Sequence, residues 1–148
     1  MNQDLAGRLL KAGLLTAAAL VASATVALAS NAVRGASYLG HFTGGATAAI
    51  SFKVSANGSR LTELSVDTPI KCGGGCGGIP SGRAASVRIR NGKFKVIVKL
   101  LALGSSSKVI GTDTVTGTFL KHGGARGTIT SHFNSGGGGR SESWTATG

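Results

Sequence analysis

The chain has 148 residues, with 16 lysine and arginine residues against 5 aspartate and glutamate residues, 25 glycines and 1 tryptophan. This length is the size of one domain and enough for one hydrophobic core, so we expect a single domain. The excess of positive charge indicates acidic partners; the alternative is that charge of one sign only keeps a small exported protein in solution.

Residues 1–29 have the order of a secretory signal peptide. Arg8 and Lys11 precede an apolar run that ends in Ala27-Leu28-Ala29, directly before Ser30. Signal peptidase reads this charged, apolar, small-residue order, and a retained membrane helix is the alternative. We expect a secreted or envelope-associated protein with one β-rich domain over residues 30–148. That domain holds 14 basic and 4 acidic residues, a net charge of +10, and no further apolar span, so no transmembrane segment is expected after cleavage.

After the signal peptide, apolar and polar residues alternate in short runs separated by Gly, Asn and Ser. This period of two is typical of β-strands with one buried face. The sequence predicts an all-β fold, either a single antiparallel sandwich or a small barrel, with about eight short strands. The strands are predicted at residues 37–43, 46–55, 60–67, 84–90, 93–100, 108–120, 125–134 and 140–147.

The first and third predicted hairpins can be aligned by requiring that apolar residues share one face. For the first, a three-residue loop at 56–58 meets this condition, with Gly58 as the left-handed residue next to a bulge. For the third, a loop at 122–124 places Gly117 and Gly127 each opposite a large side chain. We interpret these two glycines as packing positions that large side chains cover.

The second hairpin carries the most informative pattern. Its Asn91-Gly92 dipeptide favours a two-residue type I′ turn, which places Arg90 opposite Lys93 and Arg88 opposite Lys95 on the solvent face. In water, each like-charged pair at this separation repels by about 0.8 kcal/mol, so stability alone does not favour the pattern. One interpretation is that the basic strands block edge-to-edge aggregation. The other is a site for an anionic cell-wall polymer or polysaccharide, without specific nucleic-acid recognition, formed by Arg88, Arg90, Lys93, Lys95 and Lys99.

A glycine-rich segment between the third and fourth predicted strands holds both cysteines of the chain, Cys72 and Cys76. In an oxidising compartment, we expect these two thiols to form a local disulfide. Gly73, Gly75 and Gly78 match a dinucleotide-binding spacing, but no helix is predicted after them, so no cofactor is expected. No histidine lies at a recognisable ligand spacing from the cysteines, so no metal site is predicted.

The chain shows no signature of a catalytic triad, and we assign no catalytic residue. A two-carboxylate hydrolase would need Glu63 or Asp67 to meet Glu142 in one cleft. We therefore favour a non-enzymatic domain and keep a small extracellular hydrolase as an alternative. A structural or protein-interaction domain that uses the glycine-rich loop 71–82 is the other alternative.

Four short motifs resemble a loose class of small secreted β-rich proteins of actinobacteria. They are Asn91-Gly92-Lys93-Phe94, the run Val115–Phe119, the glycine-rich turn through Ile129, and the terminal Ser143-Trp144-Thr145-Ala146. The resemblance implies export and a β-rich fold, and it implies no activity. The chain departs from the class before Trp144, where residues 136–140 hold no cysteine.

Overall fold

The computed structural model describes residues 32–44, 49–68, 79–102, 105–135 and 140–148. The predicted signal peptide and the Cys72–Cys76 pair lie outside these ranges. Within them every regular element is a strand, and the described part of the chain has no helix of the length and hydropathy needed to cross a membrane. The strands are β1 (Ser37–Phe42), β2 (Ala49–Val54), β3 (Arg60–Asp67), β4 (Ser81–Arg88), β5 (Lys93–Leu101), β6 (Val109–Phe119), β7 (Gly124–Phe133) and β8 (Arg140–Thr147).

The strands form a closed antiparallel barrel. Each strand pairs with the next one in the chain, and β8 pairs back with β1. This confirms the all-β prediction and selects the small barrel over the sandwich. Because every connection joins neighbouring strands, the β2–β3, β4–β5 and β6–β7 turns lie together at one end, which we call the turn end. We call the opposite end, where β1, β3, β5 and β7 end and β2, β4, β6 and β8 begin, the loop end.

The barrel interior is filled by alternate side chains of all eight strands, as expected for a barrel of this size. Phe52 is at the centre of an aromatic cluster. Its ring stacks on Tyr38 with centroids 4.9 Å apart and meets Phe94, Phe119 and Trp144 edge-on at 5.7, 6.0 and 6.1 Å. Large apolar rings in such edge-on and stacked contacts contribute much of the stability of a small core.

The first hairpin has the predicted inner face but a different turn. Its loop has four residues, 56–59, and the Ser55 N–H donates to the Arg60 carbonyl at 2.9 Å. With this loop alone, the apolar residues of the second half of β3 would face solvent. Glu63 corrects this, because it adopts a left-handed φ of 57° and the register with β2 shifts by one residue there. The bulge predicted beside Gly58 therefore lies at Glu63.

The third hairpin is displaced by one residue from its prediction. Leu120 and Gly124 close the turn, with a 2.8 Å bond from the Leu120 N–H to the Gly124 carbonyl. As a result Gly117 lies opposite Gly127, and the predicted pairing of each glycine with a large residue is wrong. The space above the glycine pair is filled instead from other strands, by Phe94 of β5 and Trp144 of β8.

Candidate anion-binding face

The β4–β5 turn has the predicted type I′ geometry. Asn91 and Gly92 have φ values of 50° and 70°, and both central positions of this turn type require positive φ. Arg90 and Lys93 exchange two backbone hydrogen bonds, of 2.8 and 2.9 Å. The predicted placement of these two cationic residues opposite each other is therefore confirmed.

Beyond the turn, β4 and β5 separate. At the far end they pair as Ser81 with Leu101 and Gly82 with Leu100, a register one residue different from that of the Arg90–Lys93 pair. A single regular ladder cannot join these two ends. The described residues that lie between the two ends form no β4–β5 ladder pair. The predicted pairing of Arg88 with Lys95 is wrong for this reason. We call this unpaired stretch the β4–β5 gap.

Backbone polar groups of β5 point into the β4–β5 gap. Residues of an antiparallel strand direct their N–H and C=O groups alternately to one neighbour and then to the other. Lys93 bonds to Arg90 on the β4 side, and the β5 register with β6 is regular from Lys93 to Leu100. The N–H and C=O groups of Lys95, Ile97 and Lys99 therefore face β4.

Six exposed cationic side chains border the gap, and together we call them the basic face. Five of them are the residues predicted from the sequence. None of the six is in an ion pair with a carboxylate among the described residues. Their charges are therefore available to a ligand. The basic face consists of Arg83, Arg88 and Arg90 on the β4 side and Lys93, Lys95 and Lys99 on β5.

Arg83 is the member that the sequence did not indicate. It lies five residues before Arg88, so strict alternation would place the two arginines on opposite faces of the sheet. Ala85 and Ser86 are both exposed, which breaks the alternation in the middle of β4 and brings both arginines to the outside. The break lies beside the bulge residue Glu63 in the β3–β4 register.

Two shallow depressions lie at the two ends of the gap. The turn-end depression, of about 500 Å³, is lined by Arg88, Arg90, Lys93, Phe94 and Lys95. The loop-end depression, of about 440 Å³, has a different lining. It combines two cations, two hydroxyl groups and an apolar rim and includes Arg83, Lys99, Ser81, Ser105 and Ile79.

The carboxylates do not form the cleft that the hydrolase alternative requires. Glu63 is exposed on the outer surface of β3 and Asp67 is half-buried at the end of that strand. Glu142 lies on β8, which β1 and β2 separate from β3. The described residues also include no group of three His, Cys, Asp or Glu side chains that could hold a metal ion. The glycine-rich loop alternative falls largely on residues 69–78, outside the described ranges.

One carboxylate, Asp113 of β6, is fully buried inside the barrel. The Thr68 hydroxyl donates to its Oδ2 at 2.7 Å, whereas its Oδ1 has no hydrogen-bond partner. Burial raises the pKa of Asp113, and this outweighs the lowering by the Thr68 and Ser131 hydroxyls and by the charge of His132. The uncharged form is thereby favoured in the folded protein.

Asp113 should make the fold less stable as the pH rises. A carboxyl whose pKa is higher in the folded than in the unfolded state stabilises folding only while protonated, so stability falls above the unfolded pKa. Each unit of this difference costs about 1.4 kcal/mol once the group is ionised. We expect Asp113→Asn to unfold at higher urea concentration than the wild type at pH 7 and to show a flatter dependence on pH.

Asp67→Asn makes the same chemical change outside the core and serves as the control. Urea unfolding of the three proteins between pH 4 and pH 8 checks the prediction. A wild-type stability that rises with pH over this range, with Asp113→Asn following the same curve, would contradict it.

Comparison of the chain with protein-family models, with curated proteins and with solved structures gave no match. The fold defines an eight-stranded, up-and-down antiparallel barrel with a packed interior. A fold of this kind does not by itself specify an activity, so the residues of the basic face are what bears on function.

Proposed function

We propose that this protein is a non-enzymatic domain, exported from the cell, that binds anionic polymers of the cell envelope or extracellular polysaccharides through its basic face. Export rests on the order of residues 1–29 and on the resemblance to small secreted actinobacterial proteins. Binding rests on one observation above all: six exposed cations surround a gap in the barrel wall and have no carboxylate partner within the described ranges.

The local geometry supports a ligand more than a purely protective role for these charges. Cations that block aggregation belong on the free edge of a sheet. The unpaired edges along the gap account for Arg88, Lys95 and Lys99 in this way. They do not account for Arg90 and Lys93, which pair with each other at the turn, or for Arg60, which lies on a strand paired on both sides. Arg60 of β3 lies opposite Arg88 and extends the positive surface further, although adjacent like charges repel. An anion that contacts several of these groups would relieve the repulsion.

The chemistry expected of this surface is multivalent and weakly specific. Arginine offers a planar fork of donors to oxyanions, and lysine offers a mobile ammonium group. The backbone N–H groups that face the gap add further donors close to the same side chains. A polymer with phosphate, sulfate or carboxylate groups can therefore make many charge-assisted contacts along β4 and β5.

Retention on a heparin column and on isolated cell walls across a salt series tests the proposal. The variant carries Arg88→Ser, Arg90→Ser, Lys93→Ser and Lys95→Ser, and we expect it to bind on the order of 100-fold more weakly at low salt. The matched control removes four cations from elsewhere on the barrel, with Lys53→Ser, Lys121→Ser, Arg126→Ser and Arg140→Ser.

The control should elute at nearly the salt concentration of the wild type. Circular dichroism and urea unfolding establish that each variant retains its fold. If both fourfold variants lose the same retention, the binding depends on net charge alone and the proposal is wrong. Absence of wild-type retention on both supports would also overturn it.

A further inference from the structure

We propose that the basic face has two separate anion subsites and that its ligand is an anionic polysaccharide whose charged groups are separated by uncharged sugar units. One chain would lie along the β4–β5 gap and occupy both depressions. This inference rests on the proposed function and specifies the class of its ligand.

The six cations form two groups along the gap. The turn-end group contains Arg88, Arg90, Lys93 and Lys95, and the loop-end group contains Arg83 and Lys99. Lys95 and Lys99 are four residues apart on a regular strand, which corresponds to about 13 Å at the usual rise of 3.3 Å per residue. Each depression therefore has its own cations, and a small anion can occupy only one of them.

The band between the two groups carries no cation of β4 or β5; one cation from the neighbouring strand reaches its edge, because Arg60 of β3 donates from Nε to the Ser86 hydroxyl. At this level β5 presents Ile97, whose side chain is 66 % exposed, and β4 presents Ala85 and Ser86. On the adjacent strand, the same level holds Glu63, the exposed carboxylate of the β3 bulge. A polymer with a negative charge on every unit would place one over an apolar surface and close to a carboxylate.

A polysaccharide with spaced charges fits this arrangement better. Sugar rings present C–H groups on their faces, which can cover Ile97, and hydroxyl groups at their edges. The loop-end depression supplies hydroxyl partners in Ser81 and Ser105, and the backbone groups of Ile97 that face the gap supply a donor and an acceptor. Charged substituents on either side of the uncharged units would then reach the two groups of cations.

The test uses hyaluronan oligosaccharides of graded length, which carry a carboxylate on every second sugar, beside polyphosphate chains, which carry a charge on every unit. Linking two weak contacts into one chain commonly strengthens binding by 10²-fold or more, once the chain spans both sites. We therefore expect hyaluronan affinity to rise at least about tenfold at the length that first spans about 13 Å. Polyphosphate affinity should rise smoothly with length.

Two paired variants assign the subsites. Arg83→Ser with Lys99→Ser removes the loop-end group, and Arg88→Ser with Lys95→Ser halves the turn-end group. Each pair should reduce the affinity of a long hyaluronan oligosaccharide to that of a short one. The control pair, Lys53→Ser with Arg126→Ser, removes equal charge elsewhere and should change neither affinity by more than about twofold.

Ile97→Ser tests the apolar part of this band without removing charge. Because Ile97 is mostly exposed, the substitution should leave the fold intact. We expect it to weaken hyaluronan binding and to leave polyphosphate binding unchanged. If heparin binds the basic face while hyaluronan shows no step with length, or if polyphosphate binds equally well with the same response to the variants, the two-subsite inference is overturned and the proposed function stands. If no polyanion binds the basic face, both fail.

Discussion

Replacing Gly127 with alanine is expected to lower the free energy of unfolding by about 3 kcal/mol or more. Gly127 lies opposite Gly117, and a Cβ added to it would overlap the Thr116 carbonyl and lie 2.7 Å from Cζ2 of Trp144. Neither neighbour can move cheaply. The carbonyl belongs to the β6 backbone, and the indole is packed against Phe52 and Phe94 in the aromatic cluster.

Gly124→Ala is the matched control, since Gly124 begins the same strand. A Cβ there would meet Leu120 at 3.6 Å, an ordinary contact distance, so we expect a change within about 1 kcal/mol. Urea unfolding followed by tryptophan fluorescence compares the two variants, because Trp144 is the only tryptophan. Equal midpoints for Gly127→Ala and Gly124→Ala would show that the glycine pair does not receive the indole.

The strands and the tight β4–β5 turn could be predicted because both depend on local chemistry. Alternation of apolar and polar residues fixes which face of a strand is buried, and Asn91-Gly92 selects one turn type. All eight predicted strands correspond to strands of the barrel. Closure into a barrel instead depends on β8 pairing with β1, a contact between the two ends of the domain that no local pattern encodes.

The two misplaced turns share one physical cause. Each prediction required only that apolar residues share one face, and other arrangements meet that requirement. The third loop begins and ends one residue earlier, and the first has one more residue with a compensating bulge at Glu63. A bulge within a strand, like an extra loop residue, exchanges the buried and the exposed face for all residues beyond it. Glu63 adopts a left-handed φ, a conformation that favours Gly, Asn or Asp. A glutamate at this position therefore gives no sign of the bulge.

The candidate site could be predicted in part for the same reason. The five predicted cations follow from one turn and from alternation along β5, and the structure places all five on the outer surface. Arg83 joins them only because of the break at Ala85 and Ser86. The β4–β5 gap arises from a one-residue difference in register between its two ends, which depends on how β3, β4 and β5 all pair.

A steep loss of affinity with salt is the second large effect that we expect. Binding to a highly charged polymer releases condensed counterions. For double-stranded DNA the logarithm of affinity falls with the logarithm of salt concentration by about 0.9 per contacting cation, and we apply the same value to heparin. Six contacts correspond to a slope of about 5 and to a loss of about 10³-fold between 50 and 200 mM salt. The slope therefore counts the cations that touch the polymer, independently of how tightly it binds.

The measurement that tests the role of the basic face most directly is this slope, determined by titration with heparin. It is measured for the wild type, for the fourfold variant at Arg88, Arg90, Lys93 and Lys95, and for the fourfold control with substitutions at 53, 121, 126 and 140. We predict a slope of about 5 for the wild type and the control, and of about 2 for the basic-face variant. An unchanged slope in the basic-face variant, or an equal decrease in the control, would contradict the assignment of polyanion binding to this face.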